Sequence, residues 1–289
     1  MSMDVIITQH GLRKKPLPME VILGESLHFG RFAEGWRLEE GETDPREFTA
    51  FLPDAIARGF SVIWRPGEKR RVILRLLTPT GEAEIREFFH MVRRIMTHWN
   101  ASLNVDGTRR SLEEWESDLE GYLNFNRQAF HNQCRSILDD ENGEMTYISA
   151  KWPLHMGKTE AAQFESDFPA FEAWMHRLQS MNVYYAVPQF FHDEEGISGR
   201  YTLCENCRSV FPSKPYVPFG TTDPDTKKAL ECNKFETALY SETEQKTIGI
   251  VDYDTFLRKL PKSCFQRYDE MSILIEKLSL SELQALKES

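Results

Sequence analysis

The stretch FSVIWRPGEKRRVILRLLTPTGEAEIREFFHMVRRIMTHW, residues 60–99, carries the clearest structural signal in the chain. Two strand-like runs, 60–64 and 72–77, flank Pro66-Gly67, a pair that favours a tight reversal. Pro79 then stops the second run, and Thr80 stands where an N-cap is needed. Beyond it Ile85, Phe88, Phe89, Val92, Ile95, Met96 and Trp99 recur at helical spacing. Glu82, Glu84 and Glu87 suit the positive end of that helix, and Arg93 and Arg94 suit the other. A hairpin feeding an amphipathic helix must bury the apolar stripe on a sheet. The expected class is therefore α+β, mainly antiparallel, with helices packed on one face.

Working outward, Ser111-Leu112-Glu113-Glu114 reads as a capping box for a helix carrying Leu112, Trp115, Leu119, Tyr122 and Leu123. Apolar spacing turns ragged between Phe125 and Leu138, and the polar run 139–143 marks a junction. It predicts an N-terminal half, 1–140, and a C-terminal half, 141–289, either separate or continuous. The second half opens with a strand over 145–152, followed by Phe164, Phe168, Phe171 and Trp174 at helical spacing. Pro169 belongs in the first turn of a second short helix. A strand over 183–191 completes an order resembling that of the first half, which suggests two similar halves. Helices are expected over 225–240 and 268–278, a strand over 247–251, and a final helix capped by Ser281.

The 289 residues include 19 Phe, 9 Tyr and 6 Trp, enough apolar material for a sizeable core, which argues against a disordered or fibrous protein. Forty-five acids against 35 bases give a net charge of −10, which argues against nucleic acid or an anionic membrane as partner. No apolar run approaches the length of a membrane span, and residues 1–15 do not read as a signal peptide. Five irregularly spaced cysteines fit reduced thiols, so the expected compartment is cytoplasmic.

Arg58, Arg65, Lys69, Arg70, Arg71 and Arg75 gather positive charge on one hairpin of an acidic chain. Their forked guanidinium groups suit an anion or an acidic partner, with Trp64 alongside for stacking. The plainer reading has Arg65 and Arg75 facing solvent and balancing Glu82, Glu84 and Glu87. Gly157-Lys158-Thr159 follows a strand and opens a helix, as in a phosphate loop, and Asp252 ends a strand as a magnesium ligand would. Trp152 occupies the place of the required first glycine, so a helix capped by Thr159 competes with a nucleotide site. Cys204 and Cys207 have the spacing of half a zinc site, which Cys232, Cys264 or His192 would have to complete. His131 and Cys134 also lie one turn apart, but supply only two ligands. A pocket between the halves using His155, Lys158, His192 and Asp252 would suit a small-molecule or nucleotide-binding enzyme. No hydrolase, zincin, kinase or dinucleotide motif occurs.

Ala57-Arg58-Gly59-Phe60, Leu76-Leu77-Thr78-Pro79-Thr80, the helix with Phe88-Phe89, Tyr201-Thr202-Leu203, Val210-Phe211-Pro212 and Lys214-Pro215 together resemble a bacterial family. It is catalogued as domain of unknown function 4299, and the likeness spans residues 53–219. The resemblance implies a bacterial cytoplasmic protein and supplies no cofactor or catalytic residue. Its pattern does not require cysteine where Cys204 and Cys207 stand. Taken together, the readings favour a non-enzymatic module of the adaptor or immunity kind that binds another protein, with no cofactor. The enzyme and zinc-stabilised readings remain as alternatives.

Overall fold

The computed structural model describes residues 2–32, 38–41, 47–64, 70–193, 196–218, 220–223 and 227–287. The chain divides into two compact units, 1–181 and 182–289. The junction expected at 140/141 lies inside the first unit, where residues on both sides of it share one aromatic cluster. Phe130 stacks on Phe171 at 4.1 Å, and Tyr147 lies 5.5 Å from the same ring.

The first unit runs β1 (Ser2–Gln9), α1 (Met19–Leu23), β2 (His28–Phe32), β3 (Leu38–Glu40), β4 (Glu47–Phe51), β5 (Phe60–Ile63) and β6 (Arg71–Leu77). It continues with α2 (Glu82–Trp99), β7 (Ala101–Val105), β8 (Thr108–Arg110), α3 (Leu112–Ser117) and α4 (Leu119–Asp139). β9 (Met145–Tyr147), β10 (Leu154–Met156), α5 (Lys158–Phe164) and α6 (Phe168–Gln179) complete it. Eight strands form one antiparallel sheet in the order β3-β2-β4-β5-β6-β1-β7-β8. Val5-Ile6-Ile7 thus lies in an interior strand. Alternate residues of β1 and β6 (Met3, Val5, Ile7; Val72, Leu74, Leu76) are buried with Ile85, Phe88, Val92 and Ile95 of α2. The period-2 pattern of the strands and the helical stripe meet there, as the sequence predicts.

The second unit runs β11 (Tyr184–Tyr185), β12 (Gln189–Asp193), β13 (Gly196–Cys204), β14 (Ser209–Pro212), β15 (Lys234–Ser241) and β16 (Lys246–Asp252). α7 (Tyr253–Lys259), β17 (Phe265–Arg267), β18 (Ser272–Ile275) and α8 (Leu280–Lys287) follow. It holds two four-stranded sheets, β11-β14-β18-β17 and β12-β13-β15-β16, with parallel pairs at β11–β14 and β13–β15. Its core gathers Tyr201, Phe211, Leu239, Tyr253, Phe256, Ile275 and Leu283. Two units built on such different sheets do not repeat one plan. The α+β class with mainly antiparallel strands nevertheless describes both.

Several expected elements change type or extent. The helix expected over 225–240 gives way to β15, because Thr237, Ala238 and Leu239 are paired on both sides by β13 and β16. The helix expected over 268–278 becomes β18, clamped between β14 and β17 after a turn in which Asp269 accepts the N–H of Met271. The strand expected over 183–191 splits into β11 and β12, which belong to different sheets. α8 takes its capping box from Ser279 and Glu282, two residues before the expected Ser281. Pro169 does lie in the first turn of α6, behind the cap Asp167.

Candidate functional site

Near the start of α2, Thr80 does not cap the helix. Gly81 occupies the N-cap position, and the Thr80 hydroxyl donates instead to Glu84 at 2.8 Å. The Glu84 side chain is fully buried and accepts the backbone N–H groups of Ala57, Arg58 and Gly59 at 2.9–3.0 Å. Burial pushes its carboxyl above the ordinary value, while these donors pull it down. Asn126 of α4 completes the arrangement, accepting from the N–H of Thr80 and donating to its carbonyl. The two short motifs, Ala57-Arg58-Gly59 and Thr78-Pro79-Thr80, are therefore stitched together by buried polar side chains. A carboxylate so fully engaged by fixed donors acts as a structural clamp and has no lone pair turned to a ligand.

Two of the six cationic residues, Arg58 and Arg75, are engaged by the chain itself. Arg58 is partly buried; its guanidinium donates to the carbonyls of Ile148 and Pro79 and lies over the Tyr147 ring, and burial lowers it to about 10. Arg75 grips Asp4 through Nε and Nη2 at 2.6 and 2.8 Å, on neighbouring strands, instead of balancing the helix acids. Glu82 pairs with Arg127 and Glu87 with Arg94. Arg70 and Arg71 are exposed at the start of β6, and Arg65 and Lys69 lie outside the described residues.

His155 and Lys158 belong to the first unit, His192 and Asp252 to the second. His155 is buried on β10, hydrogen-bonded to Thr146, and burial lowers it to about 4. Lys158 is exposed at the start of α5, where the N–H of Gly157 meets the Glu160 carboxylate at 3.2 Å. That contact occupies a donor a phosphate would need, and Thr159 does not serve as the cap. His192 is exposed on β12. Asp252 caps α7 by accepting the N–H of Thr255.

Cys204 and Cys207 flank a turn held by Glu205, which accepts from the N–H and hydroxyl of Thr243 and from Ser241. Burial raises the Cys204 thiol, with Cys207 adding to the effect. Among the described residues no three His, Cys, Asp or Glu side chains are grouped as a metal ion requires. Cys134 is fully buried, with its thiol pushed up to about 12, and the neighbouring His131 meets the Glu165 carbonyl.

The concave surface best equipped for recognition lies elsewhere in the first unit. A cleft of about 450 Å³ is lined by Phe89, Arg110, Trp115, Tyr122 and Phe125, with Asp106 on its wall. Phe89 stacks on Trp115 at 4.0 Å and 15°, and the indole N–H donates to the Phe89 carbonyl. Tyr122 meets Thr78 through its hydroxyl, and burial raises the phenol, so it stays neutral at pH 7. Phe125, 5.8 Å from Tyr122, is 45% exposed. An adjoining cleft of about 640 Å³ includes Thr97, Asn100, Ser102, Arg109, Arg110 and Glu114. Arg110 lines both. The ragged apolar spacing from Phe125 onward was the sequence trace of this feature, since Phe125 leaves the buried stripe of α4. The convergence of α2, α3 and the β7–β8 hairpin had no trace in the sequence.

Mainly antiparallel sheets carrying helices, in two units of different sheet order, define an α+β protein. The model of a domain of unknown function, DUF4299, matches residues 2–286, and the chain belongs to that family. No curated protein and no solved structure matches it. No described helix is long and apolar enough to cross a membrane.

Proposed function

We propose that the chain is a non-enzymatic, cytoplasmic protein-binding module of the adaptor or immunity kind, and that the aromatic cleft of its first unit is the recognition surface. The observation that carries this reading is the exposed Phe125 ring, packed against Tyr122 and lining one cleft with the buried, stacked pair Phe89 and Trp115. Pre-formed aromatic pockets bury large area at little cost in side-chain entropy, which is why such residues anchor partners. Support also comes from the buried carboxylates Glu84 and Glu205. Their donors are backbone N–H and hydroxyl groups of the chain itself, which makes them supports of the scaffold rather than acid–base machinery.

Selection of a displayed library of random 12-residue peptides tests it. Peptides with a large apolar anchor should be enriched, and Phe125→Ser should weaken them by about tenfold. The variant should melt within about 2 °C of the parent, since the ring is half in solvent. Failure to enrich any peptide, or unchanged binding to Phe125→Ser, would refute the proposal.

A further inference from the structure

Residues 5–19 carry three cations, Arg13, Lys14 and Lys15, and no acid, in a chain of net charge −10. They follow the end of β1, and antiparallel pairing sets that end beside the start of β6. Thr8 lies opposite Arg71, and the N–H of Gln9 donates to the Arg70 carbonyl at 2.8 Å. The loop beyond Gln9 is closed at its base. The Gln9 side chain, almost fully buried, accepts the N–H of Lys15 at 2.6 Å and donates to its carbonyl at 2.8 Å. The Trp99 indole donates to the same carbonyl, so the base rests on the last turn of α2. From this braced base the tip projects: Leu12 is 103% exposed, beside Gly11 at φ +89°. Arg13, Lys15 and Arg70 are exposed and Lys14 is half-buried, and none of the four has a carboxylate within 4.0 Å among the described residues. Lys14 and Lys15 donate to the carbonyls of Gln9 and His98, neutral groups that leave both charges in place. The acids nearest by chain or register are fewer. Glu20 stands five residues beyond Lys15 on α1, Glu47 two strands from β6, and Asp4 at the far end of β1 in the grip of Arg75.

We propose that this edge of the first unit docks on an anionic lipid bilayer, with Leu12 entering the headgroup–acyl boundary and Arg13, Lys14, Lys15 and Arg70 meeting lipid phosphates. An exposed leucine alone signifies little. One at the tip of a braced loop, followed directly by three cations, combines the two signals that reversible membrane attachment needs, an apolar side chain and a basic cluster. Leu12 protrudes and lines no groove, so its occupant must receive a convex tip. A fluid bilayer does that without a preformed pocket, whereas nucleic acid would use the cations and leave the leucine in water. The net charge of the whole chain counts against an anionic surface, but salt confines the reach of each charge to about 8 Å, so the bilayer meets the local cations first. Met3, which lines the aromatic cleft, and Gln9 lie at opposite ends of β1, about 20 Å apart. Attachment through the tip therefore leaves the cleft open and is independent of what the cleft binds.

Co-sedimentation of the whole protein with vesicles tests the proposal, using phosphatidylcholine alone and phosphatidylcholine mixed with phosphatidylglycerol. The protein should partition onto the mixed vesicles at least about tenfold more strongly than onto the neutral ones, and salt should weaken that binding. Leu12→Ser should lower partition onto the mixed vesicles by about tenfold. Arg13→Glu combined with Arg70→Glu should reduce it to the level of neutral vesicles. These side chains are exposed, so each variant should melt within about 2 °C of the parent. Equal partition onto both compositions, no binding to the mixed vesicles at low salt, or binding unchanged by Leu12→Ser would overturn the proposal. So would single-stranded DNA held as tightly as the mixed vesicles by the parent and by Leu12→Ser alike, since that would mark a polyanion site indifferent to the apolar tip.

Discussion

The two carboxylate oxygens of Glu84 lie 2.9 and 3.0 Å from the backbone nitrogen of Gly59, 25 residues earlier in the chain. One buried side chain on the first turn of α2 thereby fixes the turn that leads into β5. Thr80 and Asn126 hold the opposite side of the same knot. Helix, sheet and α4 are joined at this point by polar contacts embedded in an apolar core.

Glu84→Gln should destabilise the protein by about 3 kcal/mol, because the amide keeps one acceptor oxygen and turns an NH₂ group toward backbone donors. Denaturant unfolding checks this. A loss under about 1 kcal/mol would show that the carboxylate is replaceable.

Gly59→Ala tests the other partner. Gly59 has φ +64°, and an added Cβ would stand 2.9 Å from the Ala50 carbonyl oxygen and from Thr49 Cγ2. The expected loss is about 2 kcal/mol, from left-handed backbone strain and the enforced shift of β4. Thermal melts of the variant beside the parent measure it.

His155 should make the first unit sensitive to mild acid. Its folded value is lowered to about 4 from an ordinary 6.5, so the unfolded chain binds the proton first. Stability is then full above about pH 6.5 and falls as pH drops toward 4, by up to about 3 kcal/mol in all. His155→Gln keeps a partner for Thr146 without titrating. The gap in melting temperature between parent and variant should therefore shift across that window, and a constant gap would disprove the linkage.

Glu205 acts on the second unit with a lower window. The N–H and hydroxyl of Thr243 and the hydroxyl of Ser241 hold its carboxyl below the ordinary 4.5. A depressed carboxylate stabilises the fold above the unfolded value and loses that contribution as pH falls through the folded one. Glu205→Gln should be less stable than the parent at pH 7 and converge with it below pH 4. Melting curves that stay parallel down to pH 3 would contradict this.

What could be read without coordinates was local. The stripe from Ile85 to Trp99, the Ser111–Glu114 box and Pro169 in the first turn of α6 depend on residues within a turn or two, and each element stands where those residues place it. The errors share the opposite character. Residues 234–241 and 272–275 became strands because each is paired on both sides, on one side by an adjacent hairpin strand and on the other by a strand distant in sequence, β13 or β14, and this pairing overrides weak helical spacing. Arg58 and Arg75 looked like free surface charge because Ile148 and Asp4, their partners, lie 90 and 71 residues away.

The sequence by itself determined an α+β chain with an acidic surface, a hairpin leading to one amphipathic helix, and membership of a family recognisable from short motifs. Only the tertiary structure decided what those motifs do. Glu84 finds its backbone donors 25 to 27 residues away, and the aromatic cleft gathers residues from β1, α2, β7, β8, α3 and α4. Periodicity reports which face of an element is buried, whereas a clamp or a cleft exists only once the folded chain sets the distances between elements.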